Sequence, residues 1–195
     1  MSTFIEAQGI EAEALFDLIP FIERRYSPEG IVKTNSQLHV QKYKGDAIIL
    51  TVAGGKFVEL KAEKENIYGN LFIETWSNRS RFTQGWIFTT QADWLWYYFV
   101  SNKQLYHVVF QELKKWCFGI ESNQGRIWDF PEKQQNKYSQ LNDTWGRCIP
   151  IQVLKQEVKT FIGPHNPTII ESAIDVQDEI EEYHGELFEL ENDDF

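Results

Sequence analysis

Two apolar segments around a glycine pair place the strongest constraint on how this chain folds. Residues 47–52 are rich in β-branched side chains, residues 56–61 follow, and Gly54-Gly55 between them is typical of a hairpin turn. Glu59 and Lys61 put charges inside the second segment. Charges on a strand face that meets a core are costly unless they are paired or line a site. The hairpin therefore predicts either a site or, more simply, a solvated Glu–Lys pair on a surface strand.

A two-residue turn at the glycines would fix the pairing of the two strands. It would place Asp46 opposite Glu63 and Ile48 opposite Lys61, so that Asp46 lies diagonally from Lys61 at about 7–8 Å. Side chains alternate between the faces of a strand, so Glu59 shares the face of Lys61. The sequence thus predicts that two carboxylates and one ammonium converge on one face.

This combination of groups fits one type of chemistry. Neighbouring carboxylates suit a hard divalent cation such as Mg²⁺, which takes oxygen ligands. Such an ion lowers the pKa of a bound water and stabilises charge on a phosphate. A lysine beside the ion can orient that water or stabilise developing negative charge. The pattern therefore favours hydrolysis of a phosphodiester.

Three motifs in order resemble one known family. Asp46 is followed thirteen residues later by Glu59-x-Lys61, which resembles the D…E-x-K signature of the PD-(D/E)XK nuclease superfamily. The segments 68–74 (Tyr-Gly-Asn-Leu-Phe-Ile-Glu) and 85–94 (Gly-Trp-Ile-Phe-Thr-Thr-Gln-Ala-Asp-Trp) are similar to those of phage and mobile-element proteins placed in that superfamily. The resemblance covers about residues 40–100. Gly45 stands where the motif's proline is expected.

The resemblance implies a role for each matched position. Asp46 and Glu59 would bind Mg²⁺ or Mn²⁺, and the main-chain carbonyl of Leu60 would add a ligand. Lys61 would orient or activate the water. Glu74, expected on the adjacent strand, would be either a further ligand or a supporting acid.

Basic side chains near these motifs are candidates for DNA contacts. Arg79 and Arg81 lie on a polar loop, and Lys64 follows the Glu-x-Lys strand. Each can contact phosphates of a DNA backbone. The alternative is that they are solvated surface residues.

The first segment predicts a helix with an apolar stripe. Pro20 interrupts the pattern, so a kink or two short helices are expected. The superfamily's upstream acid would correspond to Glu13 or Glu23, and the sequence does not choose between them. The stripe consists of Leu15, Leu18, Ile19 and Ile22.

The order of elements predicts the fold class. A helix is followed by a hairpin, more strands and a helix, which indicates an α/β (α+β) domain over residues 1–167. The resemblance implies a restriction-endonuclease-like core, in which a mixed central sheet is flanked by helices. The aromatic run 94–99 predicts a strand that is buried on both faces. Residues 105–116 read as a strand running into a helix or as a helix throughout.

The net charge of −10 is concentrated at the C-terminus. Residues 171–195 contain eleven acids and no lysine or arginine, whereas the rest of the chain has 18 acids against 19 bases. Apolar residues recur every three or four positions there, which predicts an acidic amphipathic helix or tail over residues 168–195. Three hypotheses remain open: a docked terminal helix, a shield that imitates DNA phosphates, and a docking site for a protein partner.

Composition narrows the remaining classes. No segment reaches the roughly 18 apolar residues of a membrane span, and the first residues do not resemble a secretory signal. Two isolated cysteines fit a reducing compartment, so a cytoplasmic protein without a membrane partner is expected. We predict a Mg²⁺-dependent endonuclease-like enzyme that acts on DNA in phage or mobile-element DNA processing or in defence, and that can form a homodimer. The alternatives are a non-catalytic DNA- or protein-binding module on the same fold, or an acidic decoy that inhibits a nucleic-acid enzyme.

Overall fold

The computed structural model describes residues 4–26, 31–33, 44–51, 54–120, 124–135 and 143–168. The acidic helix predicted for residues 168–195 lies outside this part of the chain, apart from Thr168. The helices are α1 (Phe4–Tyr26), α2 (Trp86–Thr89), α3 (Phe110–Phe118) and α4 (Ile151–Glu157). The strands are β1 (Ile31–Lys33), β2 (Ala47–Thr51), β3 (Gly54–Glu63), β4 (Asn70–Asn78), β5 (Thr83–Gln84), β6 (Trp94–Phe99), β7 (Gln104–Val109), β8 (Glu132–Gln134), β9 (Trp145–Pro150) and β10 (Ile162–His165).

A six-stranded mixed sheet forms the centre of the molecule, in the order β1-β2-β3-β6-β7-β10. Strand β3 is antiparallel to β2 and parallel to β6, and the other neighbouring pairs are antiparallel. Helices flank this sheet, which confirms the predicted α/β (α+β) class with a mixed sheet. None of the described helices is long and apolar enough to cross a membrane.

Helix α1 covers one face of this sheet. It runs through Pro20 as one helix rather than as two short ones. Its buried side chains are Ala14, Leu18 and Ile22, whereas Leu15 and Ile19 of the predicted stripe are only partly buried. The buried stripe is therefore rotated from the predicted one, and it meets the even-numbered side chains of β3 and β6 in one core.

A second, four-stranded antiparallel sheet, β5-β4-β9-β8, packs on the opposite face of the central sheet. The expectation that Glu74 lies on a strand adjacent to β3 is therefore wrong, because β4 belongs to this second sheet. The sequence order of β3 and β4 is not their order in space, since β6 pairs with β3 instead. Glu74 thus belongs to the second sheet, and its charge acts on Lys61 from there.

The aromatic strand β6 is buried along its whole length, as predicted. Its even-numbered side chains join the core under α1, and its odd-numbered side chains join the core between the sheets. After β6, residues 104–109 form a strand that runs directly into α3, which is the first of the two predicted alternatives.

The register of the β2–β3 hairpin differs from the predicted one. Ala47 pairs with Val58 and Thr51 with Gly54, so the glycine pair belongs to β3 rather than to the turn. Asp46 lies in a bend just before β2, and its backbone N–H donates to the carbonyl of Val58, so it does not pair with Glu63 as predicted. Within the hairpin, each pairing partner changes by four residues, an even number, so the side chains of β2 and β3 keep their predicted faces.

Gly45 is required by the backbone at the start of this hairpin. Its φ is +109°, and a Cβ at this position would lie 2.5 Å from the carbonyl oxygen of Val58. Proline, whose φ is fixed near about −65°, is incompatible with this conformation. The absence of the motif's proline therefore has a local structural reason.

We expect Gly45→Ala to lower the free energy of unfolding by about 2–5 kcal/mol, since it combines backbone strain with a backbone clash. Gly54→Ala is the matched control. Gly54 has a φ of +117° but nothing within 4 Å of its missing Cβ, so only the strain, about 1–3 kcal/mol, applies. Denaturant unfolding of both variants measures the difference. Equal losses would show that the close approach to Val58 carries no cost.

Candidate metal and catalytic site

A buried ion pair on β3 forms the centre of the site. Glu59 and Lys61 point to the same face, beside Leu95 and Tyr97 of β6. Lys61 Nζ lies 2.6 Å from Glu59 Oε1, and the two side chains are 27% and 7% exposed. The Glu–Lys pair is therefore not the solvated surface pair of the simpler interpretation, because Glu59 is buried and Lys61 is only partly exposed.

Asp46 is fixed against the main chain of β3. Its Oδ2 accepts a hydrogen bond of 2.9 Å from the backbone N–H of Leu60, while its own backbone N–H donates to the carbonyl of Val58 over 2.8 Å. The carboxylate of Asp46 thus lies against the peptide unit that joins Glu59 to Leu60. The predicted group Asp46, Glu59 and Lys61 is brought together, and the role of the Leu60 carbonyl stays a prediction.

Strand β4 of the second sheet and helix α2 lie next to the ion pair. Glu74 Oε1 accepts a hydrogen bond of 3.3 Å from the backbone N–H of Trp86. The ring centroid of Trp86 lies 5.7 Å from Lys61 Nζ, a distance that allows a cation–π attraction. Gly85 makes this approach possible, since a Cβ there would lie 2.3 Å from the carbonyl oxygen of Glu74.

Two residues of the 85–94 segment hold β3 in place. Thr90 Oγ1 donates a hydrogen bond of 3.0 Å to Glu59 Oε2, so both oxygens of that carboxylate have a partner. Asp93 Oδ2 accepts a hydrogen bond of 2.8 Å from the backbone N–H of Phe57. Thr90 has no role among the predictions from the sequence, since nothing in the sequence shows which element it faces.

Glu11 of α1 is a further acid whose charge reaches the site, and it is not among the residues predicted from the sequence. The charges of Lys61, Asp46 and Glu59 all act on the pKa of Glu11, which places it within electrostatic reach of the site. Glu13, one of the two predicted upstream acids, instead acts on the pKa of Tyr98. Glu11 lies three residues before Ala14 on the buried stripe of α1, and that helical spacing was the available signal.

The carboxyl groups around Lys61 have raised pKa values. Burial is the largest cause for Glu11, Glu59 and Glu74, the charge of Lys61 opposes it in all three, and further carboxylates add to it. Burial alone would lower the pKa of Lys61, but the charges of Glu59, Asp46 and Glu74 raise it above its ordinary value. Lys61 is therefore a protonated ammonium at neutral pH.

The charges of the site do not balance. Four carboxyl groups surround one ammonium, so full ionisation leaves a formal excess of three negative charges. A divalent cation would offset this excess, and oxygen donors alone are the ligand set that Mg²⁺ and Mn²⁺ prefer. Within the described ranges, no group of three His, Cys, Asp or Glu side chains stands in an arrangement that could hold a metal ion. The oxygen donors are of the type that such an ion takes, but their present arrangement does not form a complete ligand set, and Glu59 is paired with Lys61.

The predicted DNA-contacting residues Arg79, Arg81 and Lys64 are all exposed. Arg79 Nη1 lies 2.8 Å from Glu132 Oε2 and its guanidinium lies 4.5 Å from the ring centroid of Trp145, so Arg79 contacts β8 and β9 rather than the carboxylates. Arg81 and Lys64 are exposed, on the 3₁₀ turn after β4 and directly after β3. Their contact with DNA stays a prediction.

The chain matches no known protein-family model, no curated protein and no solved structure.

A double-mutant cycle measures how far Glu59 and Lys61 depend on each other. Lys61→Met should lower the free energy of unfolding by about 3–5 kcal/mol, because it leaves a buried carboxylate without its partner. Adding Glu59→Gln should recover at least about 1 kcal/mol of that loss. The exposed pair Glu112–Lys115, 2.9 Å apart on α3, serves as the control and should couple by only about 0.3–0.5 kcal/mol. If the losses in the free energy of unfolding from the Glu59 and Lys61 variants simply add in the double variant, the two side chains are not coupled, which would contradict the ion pair.

Proposed function

We propose that this protein is a metal-dependent DNA endonuclease-like enzyme that hydrolyses phosphodiester bonds. The observation that carries the proposal is the ion pair of Glu59 and Lys61 with the carboxylate of Asp46 bonded to the backbone N–H of Leu60 between them. The charges of Glu11 and Glu74 also reach Lys61. A lysine held within an excess of carboxylates has little structural value by itself, since apolar side chains would fill the same space at lower cost.

Each residue would have a distinct task in the reaction. Asp46 and Glu59 would hold a Mg²⁺ or Mn²⁺ ion, with Glu74 as a further oxygen donor or as a support. When bound, such an ion lowers the pKa of a coordinated water and stabilises negative charge on a phosphate. Lys61 donates hydrogen bonds to orient the attacking water and stabilises charge that develops on the phosphate. Trp86 and Thr90 keep the ammonium and the carboxylate of Glu59 in position.

The fold supports the same proposal. A helix packed on a mixed sheet, a hairpin whose first strand follows Asp46, and a second strand with Glu59-x-Lys61 match the order expected of a restriction-endonuclease-like core. The proposal therefore includes membership of the PD-(D/E)XK superfamily and a place in phage or mobile-element DNA processing or in defence. DNA would be the partner, and a homodimer would allow two sites to cut both strands.

We expect cleavage of linear, nicked, branched or single-stranded DNA in the presence of Mg²⁺ or Mn²⁺, and none after chelation of the metal. Lys61→Met and Asp46→Asn should each reduce the cleavage rate by about 10²–10³-fold or more, because each removes a group that stabilises the transition state. The measurement is the rate of product formation on gels under single-turnover conditions.

Lys56→Met is the matched control for Lys61→Met. Lys56 lies on the same strand and pairs with Ile49, but its even position points it to the opposite face from Lys61. Its cleavage rate should equal that of the wild type. A preparation that cleaves no DNA form with either ion, or that loses activity equally with both lysine variants, would remove the proposal.

A non-catalytic DNA- or protein-binding module is the second candidate function. It is favoured by one observation: Glu59 already has Lys61 and Thr90 as partners, which satisfies both of its oxygens without an ion. A protein that binds DNA but neither binds nor uses Mg²⁺ or Mn²⁺ would support this candidate. The hypothesis of an acidic decoy concerns residues 168–195 and stays a prediction.

A further inference from the structure

A groove of about 650 Å³ opens beside the carboxylate cluster. Glu74 and Trp86 belong to the wall of the groove and to the site at once. Lys61 Nζ lies 5.7 Å from the ring centroid of Trp86. A ligand in the groove therefore lies against residues that also contact the proposed catalytic centre.

The lining of the groove combines aromatic rings with small polar groups. The aromatic side chains come from Trp76, Phe82 and Trp86. Aromatic rings of this kind stack on nucleobases irrespective of sequence. The volume falls within the range of about 300–1,000 Å³ that small-molecule sites occupy, which suits one nucleotide. The polar side chains that can meet the edge of a base are Ser77, Thr83, Gln84 and Thr89.

Phe82 differs from the other aromatic residues of the lining because its ring is not packed in a hydrophobic core. Its side chain is 83% exposed, and its φ of +53° lies in the left-handed region, which bulky residues seldom adopt. Its backbone N–H donates to the carbonyl of Arg79 over 3.1 Å, so the 3₁₀ turn holds the residue at the groove. An exposed aromatic ring at a fixed backbone position is suited to stacking on a ligand.

The segment that carries Phe82 is basic, although the charged residue that lines the groove itself is Glu74. The segment 79–84 contains Arg79 and Arg81 and no acid. Arg79 is held by its stacking on Trp145 and its ion pair with Glu132, which keeps its position fixed. Arginines beside an aromatic ring can contact the phosphates that flank a stacked base.

From these observations we infer that the groove binds an unpaired nucleotide of the DNA strand that lies at the site, so that the substrate carries a single-stranded segment next to the cleaved bond. The inference rests on the proposed function, because the groove lies next to a cleaved bond only if the neighbouring site cleaves DNA. A base that is paired within a duplex cannot stack on Phe82 in this groove, because stacking on side chains requires a base outside the helix stack. Overhangs, flaps and branched junctions provide such bases, whereas blunt duplexes do not.

Binding experiments with Ca²⁺ in place of Mg²⁺, and with EDTA, test this inference without relying on cleavage. The probes are a fluorescein-labelled blunt duplex and the same duplex with a thymine overhang. The wild type should bind the overhang more tightly. Phe82→Ala should weaken overhang binding by about 5- to 140-fold and leave blunt-duplex binding unchanged, and Phe82→Trp should restore it. Phe16→Ala, which removes an exposed ring from α1, should have no effect.

A 2-aminopurine base in the overhang reports stacking directly. Its fluorescence should be quenched on binding to the wild type and to Phe82→Trp, but not to Phe82→Ala. Equal affinity for both probes, no detectable binding of the overhang probe, or equal effects of the Phe82→Ala and Phe16→Ala variants would overturn the inference. The two proposals can fail separately. If the protein cleaves blunt duplexes at a rate that Phe82→Ala does not change, only the nucleotide-binding groove is rejected. If it binds the overhang but shows no metal-dependent cleavage, only the nuclease function is rejected.

Discussion

The burial of an ion pair on the central strand β3 is the constraint on which the rest of the structure depends. Removing two charges from water costs more than their attraction returns unless other groups complete their hydrogen bonds. Here Thr90 donates a hydrogen bond to the second carboxylate oxygen of Glu59, and the ring of Trp86 lies beside the ammonium of Lys61. The segment that supplies both, residues 85–94, is thereby tied to the centre of the sheet.

Close backbone approaches make this arrangement possible. Gly45 brings the start of β2 against Val58, and Gly85 brings the start of α2 against Glu74. Each glycine precedes a residue of the site, Asp46 in the first case and Trp86 in the second. A side chain at either glycine would separate the elements that the site joins. The two sheets and α1 thus contribute acids from separate parts of the chain whose charges all act on Lys61.

Sequence reasoning succeeded where a short-range physical rule applied. The alternation of side chains placed Glu59 and Lys61 on one face even though the register was wrong, since an even shift preserves faces. The burial of strand 94–99 on both faces followed from its unbroken apolar character. The hairpin turn was placed at Gly54-Gly55 because the glycines gave the strongest local signal, yet both lie within β3.

Contacts between distant segments could not be predicted in the same way. Nothing in the order of the strands shows that β6, rather than β4, pairs with β3, so the position of Glu74 in the second sheet was missed. Glu11 was missed because the buried stripe of α1 is set by its packing against the sheet, which selects Ala14 rather than Leu15. The partner of Thr90 depends on the same three-dimensional packing.

The central claim is that the carboxylates beside Lys61 form a site for a divalent cation. Anomalous X-ray scattering from a crystal soaked in Mn²⁺ tests it most directly, because it locates the metal independently of any activity. The account predicts an anomalous peak within coordination distance of Asp46 and Glu59, and loss of that peak in Asp46→Asn. The absence of a peak at this position at saturating Mn²⁺, with the Glu59–Lys61 pair intact, would contradict it.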